Sequence, residues 1–322
     1  MIFSSLDTRR ARPYPPLMPE RSFLVQKFAK IGVGSSHVIG YSVAGEESVV
    51  QVPELDVCFD IGRAPHFALT SNILCITHGH MDHLAGLAYY LSQRHFQGMK
   101  PATVLVPAAL VNPVDQMLRC WRGIERQNTP YQLVAMAPDQ LHTVRKDFAI
   151  RAVETHHGGT SVGYILISVR DKLKPEYFGK PGQELAALRK AGVAIQYRTE
   201  VPLVAYLGDT AYGKVFDQPD VQNAEVLITE CTFFEQDHKP RAKAGRHLHV
   251  DQFVDLVLPN LKNQQIIITH VSRRTGIRKA KSILRKRLGE AAFTRILFLM
   301  DFEGASDAGD IDDLAPPPGE ED

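Results

Sequence analysis

The sequence predicts an α/β fold, and two observations carry that reading. Short apolar runs rich in β-branched residues alternate with segments of helical period. Several of those runs end in a His, Asp or Glu, as in α/β enzymes that gather functional side chains along one rim of a sheet. The densest instance is Ile73-Leu74-Cys75-Ile76, read as a buried strand, followed by Thr77-His78-Gly79-His80-Met81-Asp82-His83. Leu84, Leu87, Ala88 and Leu91 then repeat at helical spacing, so a helix should begin near Asp82. The turn between strand and helix therefore carries three histidines and an aspartate. Imidazole nitrogen and carboxylate oxygen are zinc ligands where thiolate is absent, and four so close together suit two divalent ions better than one.

Length and composition bound the rest. A chain of 322 residues with 44% hydrophobic and 23% charged residues can bury a sizeable core. No apolar stretch approaches the roughly 20 residues of a membrane span. The start, with Arg9, Arg10, Arg12 and several prolines, lacks the apolar centre of a secretory signal. Cys58, Cys75, Cys120 and Cys231 show no Cys-x-x-Cys spacing, which points to free thiols in a reducing cytoplasm. The net charge is +1, but nine of the 36 acidic residues fall in 301–322, leaving 27 against 37 Lys and Arg. A basic body is a mild pointer to a polyanionic partner.

Taken in order, residues 1–22 read as a flexible extension and 23–300 as one catalytic domain. Ser22–Lys30 and Ser36–Val43 are the opening strands. Asp56–Ile61 is another, and its Asp60 could accept the free N–H of a ligating histidine and fix its tautomer. Ala102–Val106 is a strand and Asn112–Arg122 a helix, with Leu118 and Trp121 expected inward. Phe148–Glu154 runs into His156-His157-Gly158-Gly159-Thr160-Ser161, where one histidine should be a ligand. Tyr164–Val169 continues the sheet. Residues 171–199 read as a polar excursion with a short helix at Glu184–Lys190. Leu203–Leu207, Val226–Thr229 and Ile266–Thr269 then lead to Asp209, Glu230 and His270. Past His270 a helix with apolar Ile277, Ala280, Ile283, Leu284 and Leu288 should expose Arg278, Lys279, Lys281, Arg285, Lys286 and Arg287. Residues 301–322, acidic and proline-bearing, read as a disordered tail.

These motifs resemble the metallo-β-lactamase superfamily, and within it ribonuclease Z, the tRNA 3′-processing endonuclease, in its short form. The likeness runs from about Phe23 to Phe298. It rests on Phe59-Asp60-Ile61-Gly62-Arg63, His78-x-His80-x-Asp82-His83, His157-x-x-x-Ser161-x-Gly163-Tyr164, Gly208-Asp209-Thr210, Glu230-Cys231-Thr232-Phe233 and Thr269-His270-x-Ser272-x-Arg274. The resemblance implies a four-layer αββα metallo-β-lactamase sandwich. It implies one zinc on His78, His80 and His157, a second on Asp82, His83 and His270, and Asp209 between them, with Mn2+ as an alternative to Zn2+. It matches Glu230 to a glutamate that orients a loop histidine, placed at His247 with His249 as the fallback. The chain departs from the pattern at Arg246, where the family usually has glycine, and at Thr275, where it often has tyrosine.

The chemistry implied is phosphodiester hydrolysis by a water activated between two metals. Asp82 would accept the water's proton, and His247 with Glu230 would protonate the leaving 3′-oxygen. The expected substrate is a tRNA precursor, and the expected state is a cytoplasmic homodimer without membrane attachment. Alternatives are a hydrolase of small phosphodiesters, lactones or thioesters, and a non-catalytic nucleic-acid-binding scaffold. The Glu230–His247 pair argues against lactones and thioesters, and the complete ligand set argues against the scaffold.

Overall fold

The computed structural model describes residues 28–34 and 36–302. The N-terminal extension 1–22 and all but the first two residues of the tail 301–322 lie outside the described residues, as does the start of the first expected strand.

Among the described residues fourteen strands form two seven-stranded sheets. The first sheet runs β1 (Ala29–Val33), β2 (Ser36–Val43), β3 (Glu47–Val52), β4 (Val57–Phe59), β5 (Ile73–Cys75), β6 (Thr103–Pro107) and β7 (Gln132–Met136) in spatial order. The second holds β8 (Leu141–Arg145), β9 (Phe148–Glu154), β10 (Val162–Leu173), β11 (Gln196–Tyr206), β12 (Val226–Glu230), β13 (Gln265–Thr269) and β14 (Ile296–Phe298). Each sheet has three antiparallel pairings followed by three parallel ones, so the two halves of the chain repeat one plan.

Strand alternation builds the layers. In β13, Ile267 joins the core between the sheets, while Ile266 and Ile268 face the outer core. In β5, Ile73 and Cys75 point between the sheets and Leu74 points out. Helices cover both outer faces. Leu87, Tyr90 and Leu91 of Leu87–Phe96 and Val114 and Leu118 of Val111–Glu125 pack on the first sheet. Ala280 and Leu284 of Ile277–Phe293 pack on the second. Strands apolar on both faces are what such a covered sandwich requires. The arrangement is the expected αββα sandwich.

One expectation needs correction. Trp121 is 46% exposed rather than inward, on the solvent side of the last helical turn with the exposed Ile124, while Arg122 lies over the Tyr131 ring and Glu125 accepts from the Ser92 hydroxyl. Residues 171–199 are mostly exposed and take the form of an extended hairpin with a short helix. β10 and β11 continue pairing through Asp171↔Arg198 to Leu173↔Gln196, and the helix Gly182–Lys190 sits beyond them. A hairpin needs only backbone partners, so polar side chains did not prevent the strands from running on. The thiols are free, with Cys58, Cys75 and Cys231 buried and Cys120 exposed.

Candidate active site

The expected ligands come from both sheets and meet on one rim. β5 delivers Thr77, His78 and His80, and the helix Met81–Leu84 carries Asp82 and His83. β9 leads to His157, β11 to Asp209 and β13 to His270. The structure brings His78, His80, His157 and Asp209 together as one group, and Asp82, His83 and His270 as another, each with donor atoms within 4.8 Å of one another. Asp209 joins the two. Its Oδ2 lies 3.2 Å from His270 Nε2, 3.4 Å from His83 Nε2, 3.8 Å from His157 Nε2 and 3.9 Å from His78 Nε2. Asp82 Oδ2 lies 3.5 Å from His270 Nε2 and 3.6 Å from His83 Nε2. His156, the neighbour weighed against His157, is exposed and belongs to neither group.

The outer nitrogen of each buried ring is held. His83 Nδ1 donates to Asp60 Oδ2 at 2.8 Å. The Thr77 hydroxyl donates to Asp60, so its oxygen is left to accept from His78 Nδ1 at 3.0 Å. The Thr232 hydroxyl donates to Glu230, and its oxygen accepts from His270 Nδ1 at 3.1 Å. His157 Nδ1 donates to the Arg246 carbonyl at 3.2 Å. With Nδ1 as the donor, Nε2 of these four rings presents a lone pair to the common centre, and the exposed His80 turns its Nδ1 to within 3.2 Å of His157 Nε2. His78 Nε2, His83 Nε2 and Asp209 Oδ1 are buried without any hydrogen-bond partner. Buried polar atoms are seldom left that way. Lone pairs converging on one space are what divalent cations satisfy, so the residues present fit the metals the motif implies.

Electrostatics agree. Burial, with the neighbouring His83, drives the His78 pKa down to about 2, so that ring is neutral and its lone pair free. Burial would raise the Asp209 carboxyl, but His270, His83 and His78 outweigh it and hold it well below the usual range.

Asp60 anchors the centre from below. It is fully buried and also accepts the Thr77 amide at 2.8 Å and the Tyr206 hydroxyl at 3.0 Å. It sits in the left-handed region at φ 52°, as does His270 at φ 56°. Such conformations are concentrated at functional sites. Replacing Asp60 with Asn should lower metal affinity about 10–100-fold, because His83 loses the carboxylate that fixes its tautomer. Competition with a chelator measures this, and unchanged affinity would show that Asp60 serves only the fold.

Beside the centre stands His247. Its Nδ1 lies 2.9 Å from Oε1 of Glu230, a carboxylate with no solvent exposure. Glu230 also accepts from the Thr210 amide at 2.6 Å, the Leu248 amide at 3.1 Å and the Thr232 hydroxyl. The His247 ring centroid is 4.8 Å from that of His157 and 5.1 Å from that of His270. Burial would lower its pKa, but Glu230, with Asp209 and Asp82, lifts it to about 9. His249 points elsewhere: Nδ1 accepts the Asp251 amide as a helix cap and Nε2 donates to the Glu235 carbonyl.

The loop before His247 explains one departure from the family pattern. Arg246 ends the helix Lys239–Gly245 at φ 54°, the conformation glycine adopts most easily. The preceding Gly245 leaves room for His247, whose Cδ2 would lie 2.8 Å from any Cβ there. Arg246→Gly should raise stability by roughly 0.5–1 kcal/mol in a denaturant titration, while the carbonyl that holds His157 stays in place. A loss of stability would mean that the arginine side chain has a structural role. Thr77, Thr232 and this carbonyl escaped sequence reasoning as parts of the site. A hydroxyl directly before a ligand, as at Thr77, is a weak signal, Thr232 stands 38 residues from the ring it holds, and a backbone oxygen leaves no signal.

A sandwich of this kind with His and Asp on its rim defines a hydrolase of the metal-dependent β-lactamase class. A family model described as a β-lactamase superfamily domain matches residues 68–271. The tRNase Z TRZ1 of Arabidopsis thaliana is 34% identical, over 74% of this chain and 86% of its own. The chloroplastic tRNase Z TRZ2 of the same plant is 32% identical, over 77% and 70%. The short form of human tRNase Z shares the fold, with a TM-score of 0.50 at 14% identity over 85% of this chain and 96% of its own. The chain belongs to the β-lactamase superfamily and, within it, to the tRNase Z family. Among the described residues no helix is long and apolar enough to cross a membrane.

Proposed function

We propose that this protein is a zinc-dependent endoribonuclease that hydrolyses tRNA precursors after the acceptor stem and leaves a 3′-hydroxyl. The observation that carries it is the Glu230–His247 pair, a buried carboxylate orienting a half-buried imidazole at the edge of the seven-ligand centre. Such a pair is a proton donor, which the 3′-alkoxide leaving group of a phosphodiester needs and the thiolate of a thioester does not.

His78, His80 and His157 would hold one cation and Asp82, His83 and His270 the other, with Asp209 shared between them. Zn2+ suits this donor set, and Mn2+ fits it as well. When bound, the two cations supply a water of lowered pKa and neutralise charge on the phosphoryl oxygens. Asp82, the less buried carboxylate, takes the water's proton. His247, charged through Glu230, gives its proton to the leaving 3′-oxygen. A cytoplasmic homodimer, in which one subunit grips the RNA that the other cuts, completes the reading. The test is incubation with a 3′-extended precursor and mapping of the cut. Cleavage elsewhere, or hydrolysis of small phosphodiesters alone, would overturn it.

The basic helix after His270 is less free than its sequence suggests. Arg273 pairs with Glu46, Lys279 with Glu235, Lys281 with Asp301, Arg285 with Glu290 and Arg287 with Asp255. Exposed pairs of this kind contribute about 0–1 kcal/mol, so phosphates can displace them. Arg278, Lys281, Arg285 and Lys286 still line a groove of about 420 Å³. Replacing Arg278, Lys281 and Lys286 with alanine should weaken precursor binding. The slope of log affinity against log salt should flatten by about 0.9 for each lost phosphate contact. An unchanged slope would make this helix an ordinary solvated face.

A further inference from the structure

We propose that a hollow beside the metal centre, lined by Glu154, His156, Tyr212, Gly213 and Lys214, holds the base of one unpaired nucleotide next to the scissile phosphate. The proposal rests on the ribonuclease reading and names a substrate contact that the ligands and His247 do not provide.

The hollow has a volume of about 390 Å³, enough for a nucleoside. Its position follows from the chain. His156 directly precedes His157, and Tyr212 stands three residues after Asp209, within about 10 Å along the backbone. The two walls are tied together: the His156 amide donates to Thr210 Oγ1 at 3.0 Å, and the Ala211 amide donates to the His156 carbonyl at 3.0 Å. A Cβ on Gly213 would lie 3.9 Å from the His156 Cβ, so this glycine adds no side chain to the space between the walls.

The lining suits a base better than a phosphate. Tyr212 is 39% exposed, and its ring lies parallel to that of buried Phe216, 10° between planes at 6.4 Å. An aromatic fixed from behind and open in front is a stacking platform, as proteins that bind single strands use. His156 is exposed and offers a second ring. Glu154 repels phosphate but accepts from an exocyclic amino group. Lys214, exposed and lining the same hollow, can meet a backbone phosphate. The hollow therefore offers a carboxylate to the amino group of a base and an ammonium to a phosphate.

The test is a cycle on a 3′-extended precursor, with an abasic site placed either just before or just after the cut. Tyr212→Ala should lower kcat/KM on the intact precursor about 5- to 150-fold, the range for loss of one stacked base. An abasic site at one of the two positions should cost the same, and the combination should cost no more than either alone. Tyr212→Trp should restore the rate, which a merely structural tyrosine would not allow. Metal content and melting temperature of Tyr212→Ala should match the parent protein. Normal cutting by Tyr212→Ala, or losses that multiply at both positions, would overturn the docked base and leave the ribonuclease reading standing. Failure of the parent protein to cut any precursor would sink that reading first.

Discussion

Asp209→Ala should empty both metal positions and reduce hydrolysis to background. Its Oδ2 is 3.2–3.9 Å from the Nε2 atoms of His270, His83, His157 and His78, and those rings belong to both triads. Each triad without it has three donors, most of them imidazoles, and the centre loses its buried anion. Elemental analysis of the parent protein should give close to two equivalents per chain, and the variant close to none. Parent protein that is active and zinc-saturated with no more than one equivalent would refute the two-metal assignment. A variant that keeps two would refute the bridging role.

His247→Ala should keep its metals and lose about 10²–10⁴ in rate, the usual contribution of a proton donor. Glu230 needs a gentler change. It accepts three hydrogen bonds besides that of His247, from Thr210, Thr232 and Leu248, and an alanine would orphan buried donors at about 1–3 kcal/mol each. Glu230→Gln separates chemistry from folding. It should show the same kinetic defect as His247→Ala, and the double variant should be little worse than either. Because His247 must be protonated to act, kcat should fall as pH rises through its pKa, and His247→Ala should lack that alkaline limb. His249→Ala should cost about 1 kcal/mol of stability through its lost cap and leave kcat near the parent value. If His249→Ala carried the catalytic defect instead, the proton donor would lie two residues further on.

The ligands were legible because His and Asp at the ends of apolar runs are costly residues in costly places. The strands that led to them were legible for the same reason. β3 was not. Glu47, Ser48 and Gln51 interrupt its apolar pattern, yet all are buried. Gln51 is satisfied by the Phe67 carbonyl, Thr70 and Ser71, Ser48 by Ser42, and Glu47 by Arg63. Those partners are tertiary, so no local period announces them. The basic helix misled in the opposite way. Its partners Glu235 and Asp255 come from other segments, and Glu290 and Asp301 lie beyond the basic run, so a paired surface read as a bare one.

By itself the sequence determined the α/β class and the His, Asp and Glu positions at the ends of apolar runs, since hydrophobic period and ligand chemistry are properties of residues and their spacing. The sandwich, the full candidate ligand set and the pairing of Glu230 with His247 were what the family resemblance implied. Only the tertiary structure decided which nitrogen of each ring faces the centre. That choice is made by whatever holds the other nitrogen: Asp60 for His83, Thr232 for His270, and the Arg246 carbonyl, 89 residues away, for His157. A tautomer is set by contact in space, and these contacts join positions 23, 38 and 89 residues apart, which only the folded chain brings together.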